Sequence, residues 1–141
     1  LAEAVCADLG PQILDRQIDF DLTALPDCIV TGQAEWLRVL IRNLVDNAVR
    51  YTPQGGRIRV DLSRNEGGCR LSVTDSGPGI PPAERETVLR RFHRLHQGIQ
   101  PGSGLGLAIV ARIAELHGAD LQLDSPTMPK GLNVGVQFPA R

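Results

Sequence analysis

The chain has 141 residues, a formal net charge of -1 and 4% aromatic side chains. That length is enough for one domain with its own core. The charge and the scarcity of rings argue against nucleic acid as the main partner. No apolar run approaches the length of a membrane-spanning helix, and no basic-then-apolar leader opens the chain. Cys6, Cys28 and Cys69 are widely spaced without a C-x-x-C pair, so free thiols are expected rather than a zinc site or a disulfide scaffold. Lys130 is the single lysine and lies in Pro-Lys-Gly, which excludes a Walker A loop and a protein-kinase strand lysine.

In chain order, residues 1–9 read as a short helix ended by Gly10-Pro11, the frayed start of a domain. Ile18, Phe20 and Leu22 alternate with Asp19 and Asp21, as in a half-buried strand; Cys28 and Val30 give a shorter case. Residues 33–50 carry one helical stripe of Leu37, Leu40, Ile41, Leu44, Val45 and Ala48. Alternation returns at Ile58, Val60 and Leu62, and at Leu71 and Val73. The turn Asn65-Glu66-Gly67-Gly68 predicts a hairpin between 57–64 and 69–75. A short helix is predicted from Pro82 to about Arg91. A longer one runs over 105–117, closed by His117-Gly118. Two strands follow, at Leu121–Leu123 and Leu132–Phe138. One apolar and one wet face predict an α+β fold: a two-layer sandwich, with a mixed, mostly antiparallel sheet covered on one face by about three helices. Between Ser76 and Gly104 lies a glycine- and proline-rich connection with at most one short helix. Compact domains rarely carry structureless loops beyond ~12–15 residues unless they are functional, so it reads as a lid, about 80–104.

Three stretches carry possible chemistry. Asn43, Asn47 and Arg50 stand at i, i+4 and i+7 of a helix. Such a face suits either a magnesium–polyphosphate group or plain solvent. Asp75-Ser76-Gly77-Pro78-Gly79-Ile80 ends a strand. Its carboxylate can accept from an exocyclic amine while the glycines admit a flat ring, or it is an ordinary turn. Pro101-Gly102-Ser103-Gly104-Leu105-Gly106-Leu107-Ala108 opens a helix. It serves either as an anion-binding N-terminus or as a hinge. Arg90, Arg91 and Arg94 lie in the lid, beside His93 and the apolar anchor Phe92.

In this order and spacing the stretches resemble the ATP-binding catalytic domain of sensor histidine kinases, in the superfamily with DNA gyrase, Hsp90 and MutL. The resemblance covers residues 15–139. Asn43–Tyr51 is similar to the N box, Asp75–Ile80 to the G1 box, Val88–Arg94 to the F box and Gly102–Ala108 to the G2 box. Gly131–Pro139 is similar to the last strand of the fold, known as the Bergerat type. The resemblance implies that ATP and Mg2+ are bound. Asn47 and Asn43 would be the metal side, and Asn43, Arg50 and Arg94 the catalytic residues. Tyr51 would approach the nucleotide, Asp75 would take the adenine amino group, and Gly77 and Gly79 would admit the ring. Gly102, Gly104 and Gly106 would present backbone to phosphates, and Arg91 and Arg94 would meet the γ-phosphate. The same motifs add Ile80, Ser103, Leu105 and Leu107 to the nucleotide-binding set.

The chain departs from that pattern at Leu89 and His93, where aromatics are usual, at Arg50 in place of lysine, and at Leu132 in place of a small hydroxyl residue. The resemblance also implies a phosphoacceptor histidine followed by an acidic residue on an upstream dimerisation hairpin. His93, His96 and His117 precede Arg94, Gln97 and Gly118, so none fits. The expected partners are therefore that hairpin and a response-regulator receiver domain. The piece itself is expected as a monomer, in the cytoplasmic part of an inner-membrane sensor. Two alternatives remain: an ATP-driven clamp of the gyrase/Hsp90/MutL type, and a silent nucleotide-binding module.

Overall fold

The computed structural model describes residues 2–24, 32–77, 83, 105–124 and 131–139; for 105–108 it describes the backbone alone. The N-terminal segment forms α1 (Ala2–Asp8) and α2 (Gly10–Asp15), followed by β1 (Asp19–Ala24). Next come α3 (Ala34–Tyr51) and the strands β2 (Arg57–Asn65) and β3 (Gly68–Asp75). Helix α4 (Leu105–Leu116), β4 (Asp120–Asp124) and β5 (Leu132–Pro139) complete the described elements. The strands form one sheet in the order β1-β2-β3-β5-β4. Among the described strands β1 and β2 run parallel, and the other pairs are antiparallel. This is the mixed, mostly antiparallel sheet that the alternation predicted.

The two faces of the sheet differ as the pleat demands. Ile58, Val60, Leu71, Val73, Val134 and Val136 point inward and are buried. On the other face Asn133 of β5 bridges two rungs of β3, donating to Ser72 Oγ at 2.9 Å and to Thr74 Oγ1 at 2.8 Å. Arg70 donates across to Gln122 Oε1 at 3.0 Å. These pairs give the wet face, among the described residues, its own polar order.

Helix α3 lies on the apolar face because its stripe is continuous. Leu40 and Val45 are fully buried, and Ile41, Leu44, Ala48 and Val49 nearly so. It ends where Pro53 follows Thr52. A residue before proline is driven out of the helical region, and Thr52 is extended, with φ -83° and ψ 126°. Helix α4 packs beside α3 through Val110, Ala111, Ile113 and Ala114. It closes as expected at His117-Gly118. Gly118 takes φ +65° and Ala119 N–H donates back to the Ala114 carbonyl at 2.8 Å.

The first helix ends at Asp8, just before Gly10-Pro11 as expected, and the same pair then opens α2, where proline in a first helical turn forgoes an N–H that has no intrahelical acceptor. The segment departs from the expectation of a frayed start: Ala2, Val5, Cys6, Leu9 and Ile13 all join the main core. The expectation of free thiols holds for buried Cys6, whose thiol burial pushes above its ordinary value. It fails at Cys69, which is disulfide-bonded. The hairpin falls where predicted, with Asn65 paired to Gly68 across the turn. The short strand at Cys28–Val30, the helix over 82–91 apart from Ala83, and the lid lie outside the described residues.

Candidate functional site

Three elements meet at one end of the sandwich: the C-terminal half of α3, the last residues of β3 and the first of β5. Asp75 closes β3 and is paired in register with Leu132 of β5 and Ile58 of β2. That register turns its side chain toward the helical layer, and it is 6% exposed. Its Oδ1 accepts the Gly77 N–H at 2.8 Å. Burial raises the Asp75 carboxyl above its ordinary 3.8, because a charge in a poorly solvated place is disfavoured. Hydrogen bonds from the Gly77 and Leu132 amides pull the other way without cancelling that effect.

Two glycines let the backbone close around this carboxylate. Gly77 is packed so tightly that a Cβ there would stand 2.7 Å from the Tyr51 carbonyl oxygen and 3.1 Å from Asp75 Oδ1. Gly131 holds φ +125°, a conformation that side chains rarely adopt, and a Cβ there would run into the Asp75 carbonyl. Between them Ser76 is fastened to β2. Its N–H donates to the Arg57 carbonyl at 3.0 Å, and its Oγ accepts the Arg57 N–H at 2.8 Å.

On α3, Asn43, Asn47 and Arg50 follow one another along the helix as the spacing predicted. The two asparagines are half-buried and Arg50 is exposed. Asn43 Nδ2 donates to the Val39 carbonyl at 2.8 Å, one turn back, which spends the amide's donor end and leaves its oxygen as the acceptor to offer. The Asn47 side chain makes no hydrogen bond among the described residues. Arg50 pairs with Asp46 at 3.3 Å. Both side chains are largely exposed, so that pair is a weak tether and the guanidinium remains available. Tyr51 is half exposed at the helix end, its carbonyl against Gly77.

The structure thus brings Tyr51, Asp75 and Gly77 together and sets Asn43, Asn47 and Arg50 on the helix that leads to them. Leu105, Gly106 and Leu107 form the first turn of α4 by their backbone. Gly79, Ile80, Arg91, Arg94, Gly102, Ser103 and Gly104 lie outside the described residues. Sequence reasoning missed Ser76 as the fastener to β2 and Gly131 as the close approach to Asp75. An isolated glycine before a strand was the only available signal for the latter.

A magnesium–polyphosphate group suits this donor set. Hard cations take oxygen ligands, and the α3 face offers amide oxygens with a guanidinium one turn on. Among the described residues no group of three His, Cys, Asp or Glu is placed to hold a metal by itself, so the remaining oxygens would come from phosphate.

Comparison with known proteins agrees with this geometry. Residues 32–141 match the family described as histidine kinase-, DNA gyrase B-, and HSP90-like ATPase. The sensor protein kinase PmrB of Pseudomonas aeruginosa is 39% identical over 140 residues, which cover 99% of this chain and 29% of that protein. The chain therefore spans under a third of that relative's length. A solved structure of the mycobacterial sensor histidine kinase MprB matches with a TM-score of 0.79 and 38% identity, covering 99% of this chain and 93% of that one. Full-length ShkA, solved in complex with AMPPNP, matches with a TM-score of 0.80 and 26% identity, over 99% of this chain and 30% of that one. With most of its length matched and its buried Asp75-x-Gly77 strand end in place, the chain belongs to the histidine kinase-, DNA gyrase B- and HSP90-like ATPase family, with sensor histidine kinases as its relatives.

Proposed function

We propose that this chain is the nucleotide-binding half of a protein-histidine kinase, taking Mg-ATP between the C-terminal half of α3 and the Asp75 end of the sheet. The observation that carries the reading is Asp75. A carboxylate that is buried, raised in pKa and, among the described residues, met only by backbone amides is an acceptor suited to a donor from a bound molecule. The exocyclic amine of adenine is such a donor. Gly77, unable to carry a Cβ, keeps the approach to that carboxylate narrow and flat.

Asn47, with Asn43 beside it, would hold a magnesium ion, whose charge offsets the repulsion between phosphate oxygens and an incoming nucleophile. Arg50, one turn beyond, would meet phosphate oxygens. The remaining work is positioning, which is most of what phosphoryl transfer requires of a protein. The γ-phosphorus exchanges its bond to the bridging oxygen for one to a histidine nitrogen, and ADP leaves. That histidine would come from a separate dimerisation hairpin, and the phosphoryl would pass on to an aspartate of a response-regulator receiver domain. Arg91 and Arg94 would add charge at the γ-phosphate, and the Gly102–Leu107 stretch would offer backbone N–H groups. No described helix is long and apolar enough to cross a membrane. We place this chain on the cytoplasmic side of a membrane-anchored sensor.

The test is trans-phosphorylation. With labelled ATP, the chain should transfer label to a separately supplied histidine-bearing hairpin from a sensor kinase and acquire none itself. Steady ATP hydrolysis without the hairpin would instead favour a clamp. Nucleotide binding with neither transfer nor hydrolysis would favour a silent module.

A further inference from the structure

Arg16 lies at the α2–β1 junction, outside every motif in the sequence. Its Nη2 donates to the Thr52 carbonyl at 2.8 Å, just past the end of α3 and 36 residues away in sequence. The backbone around both residues is stitched together as well. Gly55 N–H donates to the Arg16 carbonyl at 3.0 Å, and Asp19 N–H to the Gly56 carbonyl at 2.9 Å. On the far side of this turn the Tyr51 carbonyl abuts Gly77, whose N–H in turn fixes Asp75 Oδ1. A continuous path of contacts therefore runs from the guanidinium, through the Tyr51–Thr52 backbone, to the buried carboxylate.

Two buried polar atoms sit at the start of this path without a hydrogen-bond partner among the described residues: Arg16 Nε and Thr52 Oγ1. Desolvating a donor that finds no acceptor is unfavourable. A side chain with a single N–H or O–H would satisfy the Thr52 carbonyl without that cost. A guanidinium retained despite an orphaned Nε suits a need for a rigid, planar group held in one orientation.

We propose that Arg16 is a positioning residue for the nucleotide site, holding the Tyr51–Thr52 backbone in the place where Gly77 and the Asp75 carboxylate are aligned to receive adenine. This rests on the nucleotide-binding reading above. It makes the N-terminal helices α1 and α2 part of the site's support as well as part of the core.

The test uses Arg16→Met, which keeps length but removes the donors, and Arg16→Lys, which keeps the charge and a donor nitrogen but loses the planar fork. Three readouts are taken on each: the thermal midpoint, the Gly77 amide resonance without nucleotide, and the ATP dissociation constant. Arg16→Met should shift the Gly77 amide resonance and weaken ATP binding about tenfold in the folded protein, the scale of one charged hydrogen bond. Arg16→Lys should recover little of that affinity, because a flexible ammonium does not hold the Thr52 carbonyl in one orientation. An unshifted Gly77 resonance together with wild-type affinity in folded Arg16→Met overturns the proposal. So does an affinity loss accounted for by the unfolded fraction alone. Should Arg16→Met fail to fold, Arg16→Lys decides: a shifted Gly77 resonance supports the proposal, and an unshifted one overturns it. Failure of the wild type to bind ATP defeats the nucleotide reading instead, and the Gly77 resonance, read without ligand, separates the two failures.

Discussion

Asp75 shows at the scale of one residue how function is set against stability. Its burial stabilises nothing by itself; it raises the carboxyl pKa, and the two backbone amides only moderate the effect. The folded chain therefore holds that proton more tightly than the unfolded chain. Stability from protonated Asp75 is fully present below the ordinary value of 3.8 and is lost as pH rises through the higher folded value. At neutral pH the chain carries a charge that water would solvate better. Asp75→Asn removes this charge while keeping an oxygen for the Gly77 and Leu132 amides. Thermal unfolding of wild type and variant from about pH 4 to about pH 7 should show the variant gaining relative to the wild type as pH rises. A constant difference across that range would mean that Asp75 is not desolvated as described.

At the scale of an element, α3 does two jobs with two faces. The stripe from Leu40 to Val49 fixes the helix on the sheet, and Asn43, Asn47 and Arg50 occupy the side left over. Position on that side follows from helical spacing alone, which is why the placement of these three candidate residues was legible in the sequence. Asn47→Asp tests its role. Because the residue is half-buried on a polar face, the fold should tolerate the change. Its added charge should alter the magnesium dependence of ATP binding more than the binding of metal-free nucleotide. Titrations with Mg2+ and with EDTA separate the two, and equal changes in both would remove Asn47 from the metal side.

The strands were legible for the same reason as α3: alternation at Ile58–Leu62 and Leu71–Val73 leaves one register that buries every apolar side chain. What escaped was long-range. Gly10-Pro11 marks the end of one helix, but that a second one follows at once depends on Leu9 and Ile13 finding the core. The Arg16 contact with Thr52 spans 36 residues and depends on a proline-terminated helix end meeting the α2–β1 turn. The close fit of Gly131 against Asp75 likewise exists only once β5 lies beside β3.

At the scale of the whole molecule, the sheet order places a parallel pair at one edge and antiparallel pairs through the centre, so that β3 and β5 lie side by side beneath the helices. That adjacency assembles the Asp75 end from two strands distant in sequence, while α3 supplies the opposing wall. The wet face of the sheet stays polar, with Asn133 and Arg70 engaged by neighbours across the strands. The functional weight therefore falls on the edge between layers. All three histidines lack an acidic residue after them; under the kinase function proposed above, the acceptor histidine would come from a second component.

Under the proposed function, Asp75 selects adenine in a site on this chain. Calorimetric titration of the wild type and Asp75→Asn with ATP and with GTP tests it most directly. The wild type should bind ATP about tenfold or more tighter than GTP, because guanine presents a carbonyl oxygen where adenine presents an amine. In Asp75→Asn that preference should collapse, with ATP affinity falling toward that for GTP. Equal affinity of the wild type for both nucleotides, or an unchanged ATP affinity in Asp75→Asn, would contradict the account.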